Sequence, residues 1–312
     1  MVDVSILIVT WNTKDYLQKC LSSVYKNTGS ITFEIIIVDN ASTDGTAAMV
    51  KASFPSAVLI ENKKNRGFGS ANNQAVKICK GKYVLILNPD TIILPGSIQR
   101  LAAFLDQNPD AGAVGPKILN PDGSIQLECA RNFPTPMTEF CVLTTLYKRF
   151  PKSKIFGKYL MSYWDHNDQR EVALLSGACF LIRNKAFDEI GLFDENFFMY
   201  TEETDLFYRI KQKGRKVYFL PSAKIEHLWG KSTEQLPYTM AVEARRTMEL
   251  FFKKHYGLLA VITHRLIVAF VMIFLCLCVI VSYPFFGKEK RDKIKSILLK
   301  NYFMFLWAVG LK

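Results

Sequence analysis

Carboxylates and amides recur in this 312-residue chain at places where an apolar run has just ended. Thr10-Trp11-Asn12 follow the run 4–9, Asp39-Asn40 follow 33–38, Glu61-Asn62 follow 57–60, and Asn88-Pro89-Asp90 follow 83–87. An ionised carboxylate such as Asp39 only accepts hydrogen bonds, so in a crevice it can select an N–H group. A carboxylate such as Asp90 can also hold a hard divalent cation. Further on, Glu202 and Glu203 stand side by side. Neighbouring carboxylates raise the pKa of one of them, which suits a general base working near neutrality. Plainer readings exist for each. Asn, Asp and Pro form turns, and acidic residues at a helix start are favoured by its dipole. Four such endings on one rim weigh more than four separate turns.

The rim follows from the elements. The four runs are apolar throughout, and helix-spaced segments separate them: 14–25, 46–54, 70–79 and 97–107. Strands apolar on both faces and alternating with helices read as a mostly parallel α/β sheet flanked by helices. Ligands of such sheets bind beyond the carboxyl ends of the strands. Residues 113–114 open a fifth strand, and 117–125 contain an Asn-Pro-Asp-Gly turn between two short strands. The small, apolar stretch 173–183 reads as one packed strand. Segments 184–190 and 204–213 read as helices, the second stopped by Gly214, and 217–220 as a strand leading through Pro221 to His227.

The net charge of +12 is concentrated at one end. Residues 245–312 hold 12 Lys/Arg against 3 Asp/Glu, whereas the first 244 hold 28 against 25. The excess flanks an uncharged 21-residue run, 266–286, which as a helix spans about 32 Å. That pairing suits an anionic membrane surface and argues against nucleic acid as partner. Arg245, Arg246, Lys253, Lys254 and Arg265 precede the run; Lys288, Lys290, Arg291, Lys293 and Lys295 follow it, so the positive-inside rule gives no orientation. A second stretch, 297–311, is amphipathic with Tyr302 and Trp307. Span, re-entrant hairpin and in-plane helix all fit this pattern. Seven scattered cysteines without a CxxC pair suit reduced thiols.

The ordered set VSILIVTWN (4–12), IVDNASTDGT (37–46), NRGFG (65–69) and LNPD (87–90) resembles the family 2 glycosyltransferases of GT-A fold. SGACFLIR (176–183), GLFDE (191–195), FMYTEETDL (198–206) and HLWGKS (227–232) continue the resemblance in the same order. It covers about residues 3–235, and its wording is closest to the rhamnosyltransferase-like branch that builds bacterial cell-surface polysaccharides. The resemblance implies a nucleotide-sugar-binding half at 1–115 and an acceptor-binding and catalytic half of the same domain at 116–240; the apolar run and its basic flanks make 241–312 a membrane-associating tail.

By the same resemblance Asp39 contacts the base of a dTDP- or UDP-sugar, and Thr10, Trp11, Asn12, Asn62 and Asn88 border the donor. Arg66 lies near the base or diphosphate, and Gly67 and Gly69 let the backbone pass close to the donor. The turn role open to Asp39 falls instead to Asp44 or Ser42. Asp90 takes the last place of an Asp-x-Asp motif whose first place is Asn88, and with His227 it is expected to hold Mg²⁺ or Mn²⁺ against the leaving diphosphate. Glu203 takes the base position, with Glu202 as the fallback. The acceptor is a glycan or a polyprenyl-diphosphate-linked sugar, reached at the cytoplasmic face of the membrane. Two alternatives stand beside this: a family 2 transferase using a UDP-sugar, and a catalytically silent nucleotide-sugar-binding scaffold. A processive synthase is disfavoured, because Gln-x-x-Arg-Trp is missing.

Overall fold

The computed structural model describes residues 2–228, 237–282 and 301–310. The tail of the 227–232 motif, residues 283–286 of the apolar run, the basic residues 288–295 and parts of the 297–311 stretch lie outside them. In chain order the first half runs β1 (Val4–Thr10), α1 (Lys14–Asn27), β2 (Phe33–Asp39), α2 (Thr46–Ser53), β3 (Val58–Glu61), α3 (Phe68–Val76), β4 (Tyr83–Leu87), β5 (Thr91–Ile93), α4 (Ser97–Gln107) and β6 (Ala111–Leu119). The rest comprises β7 (Ala130–Arg131), α5 (Pro136–Leu143), α6 (Leu146–Arg149), β8 (Arg170–Glu171), β9 (Leu174–Leu175), β10 (Cys179–Arg183), α7 (Ala186–Ile190), α8 (Glu202–Gln212), β11 (Lys216–His227), α9 (Pro237–His255) and α10 (Leu258–Ser282). Residues 301–308 are also helical.

The chain packs as two compact units, 1–133 with 164–235, and 134–163 with 236–312. The first holds the sheet, in the order β3-β2-β1-β4-β10-β6-β11-β5 with β8 beside β11. From β3 to β4 all pairings are parallel, in a register that sets Thr10 beside Asp39 and Asp39 beside Glu61. The carboxyl ends of these strands therefore form one rim. Every residue of β1 and β4 is buried, as expected of strands covered on both faces. Helix α1 buries Leu17, Cys20, Leu21 and Val24, and α4 buries Ile98, Leu101 and Leu105, each set falling on one helical face.

The structure departs from the sequence reading in two places. The single strand expected over 173–183 is two, β9 and β10, broken at Ser176–Ala178, where the Ser176 hydroxyl accepts the Ala178 N–H at 3.2 Å. And α8 starts at Glu202 rather than 204, which puts the acidic pair in its first turn. The sheet itself is as read, a parallel run β3-β2-β1-β4 flanked by helices, with β10 antiparallel to β4 and β6 and β5 antiparallel to β11.

Among the described residues the second unit contains helices and turns and no strand. Val268, Val271, Met272, Met304, Trp307 and Ala308 form its buried centre, with Phe140 and Leu143 of α5 against them. Two ion pairs tie it together, Arg245 with Glu139 and Arg265 with Glu249. Helix α10 is long and apolar enough, by length and composition, to cross a membrane.

Candidate active site

The rim is laced by its own backbone. Asn40 N–H donates to the Thr10 carbonyl at 2.9 Å, and Asn62 N–H to the Asp39 carbonyl at 2.8 Å. Side chains extend the lacing. Asn40 Oδ1 accepts from Asn62 Nδ2 at 2.9 Å, and Asn40 Nδ2 donates to the Gly67 carbonyl at 3.2 Å. Asn12, at φ 52°, takes the Ser42 hydroxyl on its N–H and the Thr43 N–H on its Oδ1. Asn12 and Asn62 thus hold loops in place. Asp39 is buried, and its Oδ1 accepts the Ser42 N–H at 3.1 Å. The turn role assigned from sequence to Asp44 or Ser42 is therefore shared by Asp39. Asp44 has its own share, accepting Lys14 N–H at 2.9 Å and Thr46 N–H at 3.0 Å.

Above the rim lies a cleft of about 270 Å³. Of the residues singled out in the sequence, Thr10, Trp11, Asn88, Asp90, Glu202, Glu203 and His227 line it; Asn12, Asp39, Asn62, Arg66 and Gly67 do not. Gly67 has a different neighbour. A Cβ there would meet the Phe198 carbonyl oxygen at 2.2 Å, and the next N–H, of Phe68, donates to that same oxygen at 2.9 Å. At Gly69 a Cβ would meet Phe193 Cβ at 3.1 Å. Both glycines admit the 193–198 segment rather than open space. Arg66 is exposed.

Asp90 and His227 meet on one wall. β5 and β11 pair Thr91 with His227, and His227 Nε2 lies 3.2 Å from Asp90 Oδ1. Both are nearly buried. Gln126, buried itself, backs the histidine, its Oε1 2.9 Å from Nδ1. The opposite contribution comes from the start of α8. Tyr200 and Thr201 both adopt left-handed backbone, at φ 67° and 66°, immediately before Glu202 and Glu203. For non-glycine residues this conformation is uncommon and costs on the order of 1 kcal/mol or more. Asp205 and Arg209 brace that helix: Arg209 Nε donates to Asp205 at 2.8 Å, and its terminal nitrogens reach the carbonyls of Ile190 and Leu192. On the other side Asn73 of α3 grips Phe193 and Glu195.

Glu203 is 9% exposed and paired with Arg131, whose Nη2 donates to Oε1 at 2.9 Å. Asn40, read from the sequence as a rim residue, also lines the cleft, as do Arg131, Gln126 and Glu128, which the sequence reading missed. No local signal marks Arg131, on a two-residue strand 72 positions from its partner. Four carboxylates (Asp90, Glu128, Glu202 and Glu203) and one guanidinium thus face one cavity. Among the described residues no three or more His, Cys, Asp or Glu groups gather into a metal cage.

Comparison with known proteins accords with this architecture. The family model for glycosyl transferase family 2 matches residues 5–191. The N-acetylglucosaminyl-diphospho-decaprenol L-rhamnosyltransferase of Mycobacterium tuberculosis is 30% identical over 272 residues, 82% of this chain and 87% of that one. Among solved structures, a mannosyltransferase from Pyrobaculum calidifontis in complex with GDP-Man and Mn²⁺ superposes with a TM-score of 0.58 at 16% identity, covering 97% of this chain and 87% of that one. GalNAc-T7 with UDP, GalNAc and Mn²⁺ gives a TM-score of 0.56 at 19% identity, over 80% of this chain and 48% of that one. These structures bear on the fold, which is GT-A; the family match and the mycobacterial relative bear on the class. The chain belongs to glycosyl transferase family 2 and is a glycosyltransferase.

Proposed function

We propose that the chain is an inverting rhamnosyltransferase that moves rhamnose from dTDP-rhamnose to a lipid-linked or growing glycan acceptor at the cytoplasmic face of the membrane. The observation that carries this reading is that Asp90 with His227, and Glu202 with Glu203, line one cleft at the carboxyl rim of the sheet. The donor and acceptor classes are supported by the likeness to the mycobacterial rhamnosyltransferase, whose name gives a decaprenol-diphosphate acceptor.

In a single displacement the acceptor oxygen attacks the anomeric carbon while the bond to the diphosphate oxygen breaks, and the electron pair leaves on the diphosphate. Glu203 takes the acceptor proton. Arg131 engages Oε1 and fixes the carboxylate's direction, so Oε2 is the oxygen assigned to the proton. Asn40 and its partners order the loops around the donor.

The cleft carries more negative than positive side chains, so an anionic diphosphate needs added positive charge. Asp90 and His227, one carboxylate and one imidazole nitrogen 3.2 Å apart, are the residues that would hold a divalent cation. Mg²⁺ or Mn²⁺ held there would offset the charge that develops on the leaving group.

The test is a panel of nucleotide sugars incubated with the purified enzyme and a polyprenyl-diphosphate N-acetylhexosamine acceptor. Turnover with dTDP-rhamnose, product of inverted configuration by NMR, and loss of at least about a hundredfold in Asp90→Ala and Glu203→Gln are expected. Retained configuration, or full activity in both variants, would sink the mechanism. Exclusive use of a UDP-sugar would replace the donor.

A further inference from the structure

Exposure along α10 alternates with the period of a helix. Leu259, Ile262, Leu266, Phe270, Phe274 and Leu277 are exposed, whereas Val261, His264, Val268, Val271 and Met272 are buried. Successive exposed positions are three or four residues apart, so they form one stripe. From Leu258 to Leu277 this stripe runs about 30 Å. A soluble surface rarely leaves so long an apolar strip in water. Over residues 261–272 the opposite face is buried, with Val268, Val271 and Met272 in one cluster with Met304, Trp307 and Ala308 and with Phe140 and Leu143 packed against it.

Two further observations decide how a bilayer would meet the stripe. Arg265 sits on α10 and pairs with Glu249 of α9 through two 2.9 Å bonds, its guanidinium 5.8 Å from the Trp307 ring centre. Were the whole stripe from Leu258 to enter hydrocarbon along the bilayer normal, this pair would lie about 10 Å inside, where charge is strongly disfavoured; a span begun only at Leu266 would leave the exposed Leu258, Leu259 and Ile262 outside the bilayer. With the helix lying flat, only the stripe meets hydrocarbon and the ion pair stays on the protein side. Charge points the same way. Lys253 and Lys254 are exposed just before α10, and the sequence after it carries Lys288, Lys290, Arg291, Lys293 and Lys295. A single span would separate these two basic groups of the sequence across the membrane; a flat helix does not require it.

We infer that α10 is an in-plane membrane helix, its exposed stripe seated at the headgroup–acyl boundary of a bilayer containing anionic lipid. This rests on the membrane reading proposed above and specifies its geometry. Flotation of the full-length protein with phosphatidylcholine vesicles, with and without phosphatidylglycerol, tests it, together with alkaline carbonate washing of membranes from producing cells. Expected are binding that strengthens with phosphatidylglycerol and release by carbonate. Phe270→Glu with Phe274→Glu should lower the bound fraction at least about tenfold, and Lys253→Gln with Lys254→Gln should lower it about tenfold on the anionic vesicles alone, with circular dichroism and melting unchanged. Binding that resists carbonate overturns the in-plane geometry and leaves the membrane reading standing. No binding to either vesicle overturns both. A soluble dimer dissociated by Phe270→Glu assigns the stripe to a second copy and overturns the inference.

Discussion

Gln126 holds His227 by ring and backbone together: its Oε1 lies 2.9 Å from Nδ1, and its Nε2 donates to the His227 carbonyl at 2.7 Å. Nε2 also donates to Asn120 Oδ1 at 2.9 Å. With both amide hydrogens used, Oε1 can only accept. This hydrogen-bond network makes Nδ1 the nitrogen that donates to Gln126 and leaves Nε2 facing Asp90. A carboxylate oxygen and an imidazole nitrogen 3.2 Å apart form the pair proposed above to hold the cation. Gln126→Leu is therefore expected to weaken Mn²⁺ binding about 10- to 100-fold, the usual effect of losing an outer-shell partner. Electron paramagnetic resonance titration of Mn²⁺ with dTDP present measures this. Unchanged affinity would remove His227 from the cation site.

Gly67 is expected to be intolerant of any side chain, for a structural reason. Its φ is +81°, and a Cβ would stand 2.2 Å from the Phe198 carbonyl oxygen. Gly123 shares that φ, but nothing lies within 4 Å of a Cβ there. Gly123→Ala should thus cost only the backbone strain, about 1 kcal/mol, while Gly67→Ala should cost about 3 kcal/mol or more because two main-chain segments must separate. Urea unfolding of both variants checks the difference. Equal losses would mean that the Phe198 contact contributes nothing.

These two glycine and glutamine contacts mark what the sequence could and could not convey. Strands β1 to β4 were legible because each is an uninterrupted apolar run ending in polar residues, and the rim follows from parallel order. Strands β5, β7, β8 and β9, of two or three residues, carry no period. The direction of β10 depends on pairing with β4, about ninety residues earlier. Within the site, Asp90, Glu202, Glu203 and His227 were legible as motif residues. Gln126 and Arg131 reach them across 101 and 72 positions, and no local pattern encodes such partners. Gly67 was legible as a special position, but not which neighbour required it.

Asp44 gives a pH-dependent prediction. Burial acts to raise its pKa, but hydrogen bonds from the Thr46 hydroxyl, Lys14 N–H and Thr46 N–H outweigh this and hold it below the ordinary value of 3.8. A carboxylate whose folded pKa is depressed adds stability above its unfolded pKa, and that stability is lost as pH falls through the folded pKa. Asp44→Asn should therefore destabilise the protein at neutral pH and converge with wild type as the pH drops below the carboxylate range. Melting curves from pH 7 down to about 3 would record the convergence. A constant gap would show that shape, not charge, is what the side chain supplies.

Arg131 and Glu203 offer the sharpest separation of structural from chemical roles. Their side chains are only 13% and 11% exposed, so each charge relies on the other. Removing the guanidinium leaves a nearly buried carboxylate without it, and breaking such pairs from one side costs about 3 kcal/mol. Arg131→Met is expected to destabilise by about that much, and adding Glu203→Gln should recover part of the loss, because the neutral amide has no charge to solvate. The coupling in this double-mutant cycle should exceed about 1 kcal/mol. Activity divides differently. If Glu203 is the base, the double variant regains stability but not turnover, since Gln cannot take the acceptor proton. Recovery of both would reduce Glu203 to a structural partner of Arg131 and move the base to Glu202, its neighbour in the same cleft.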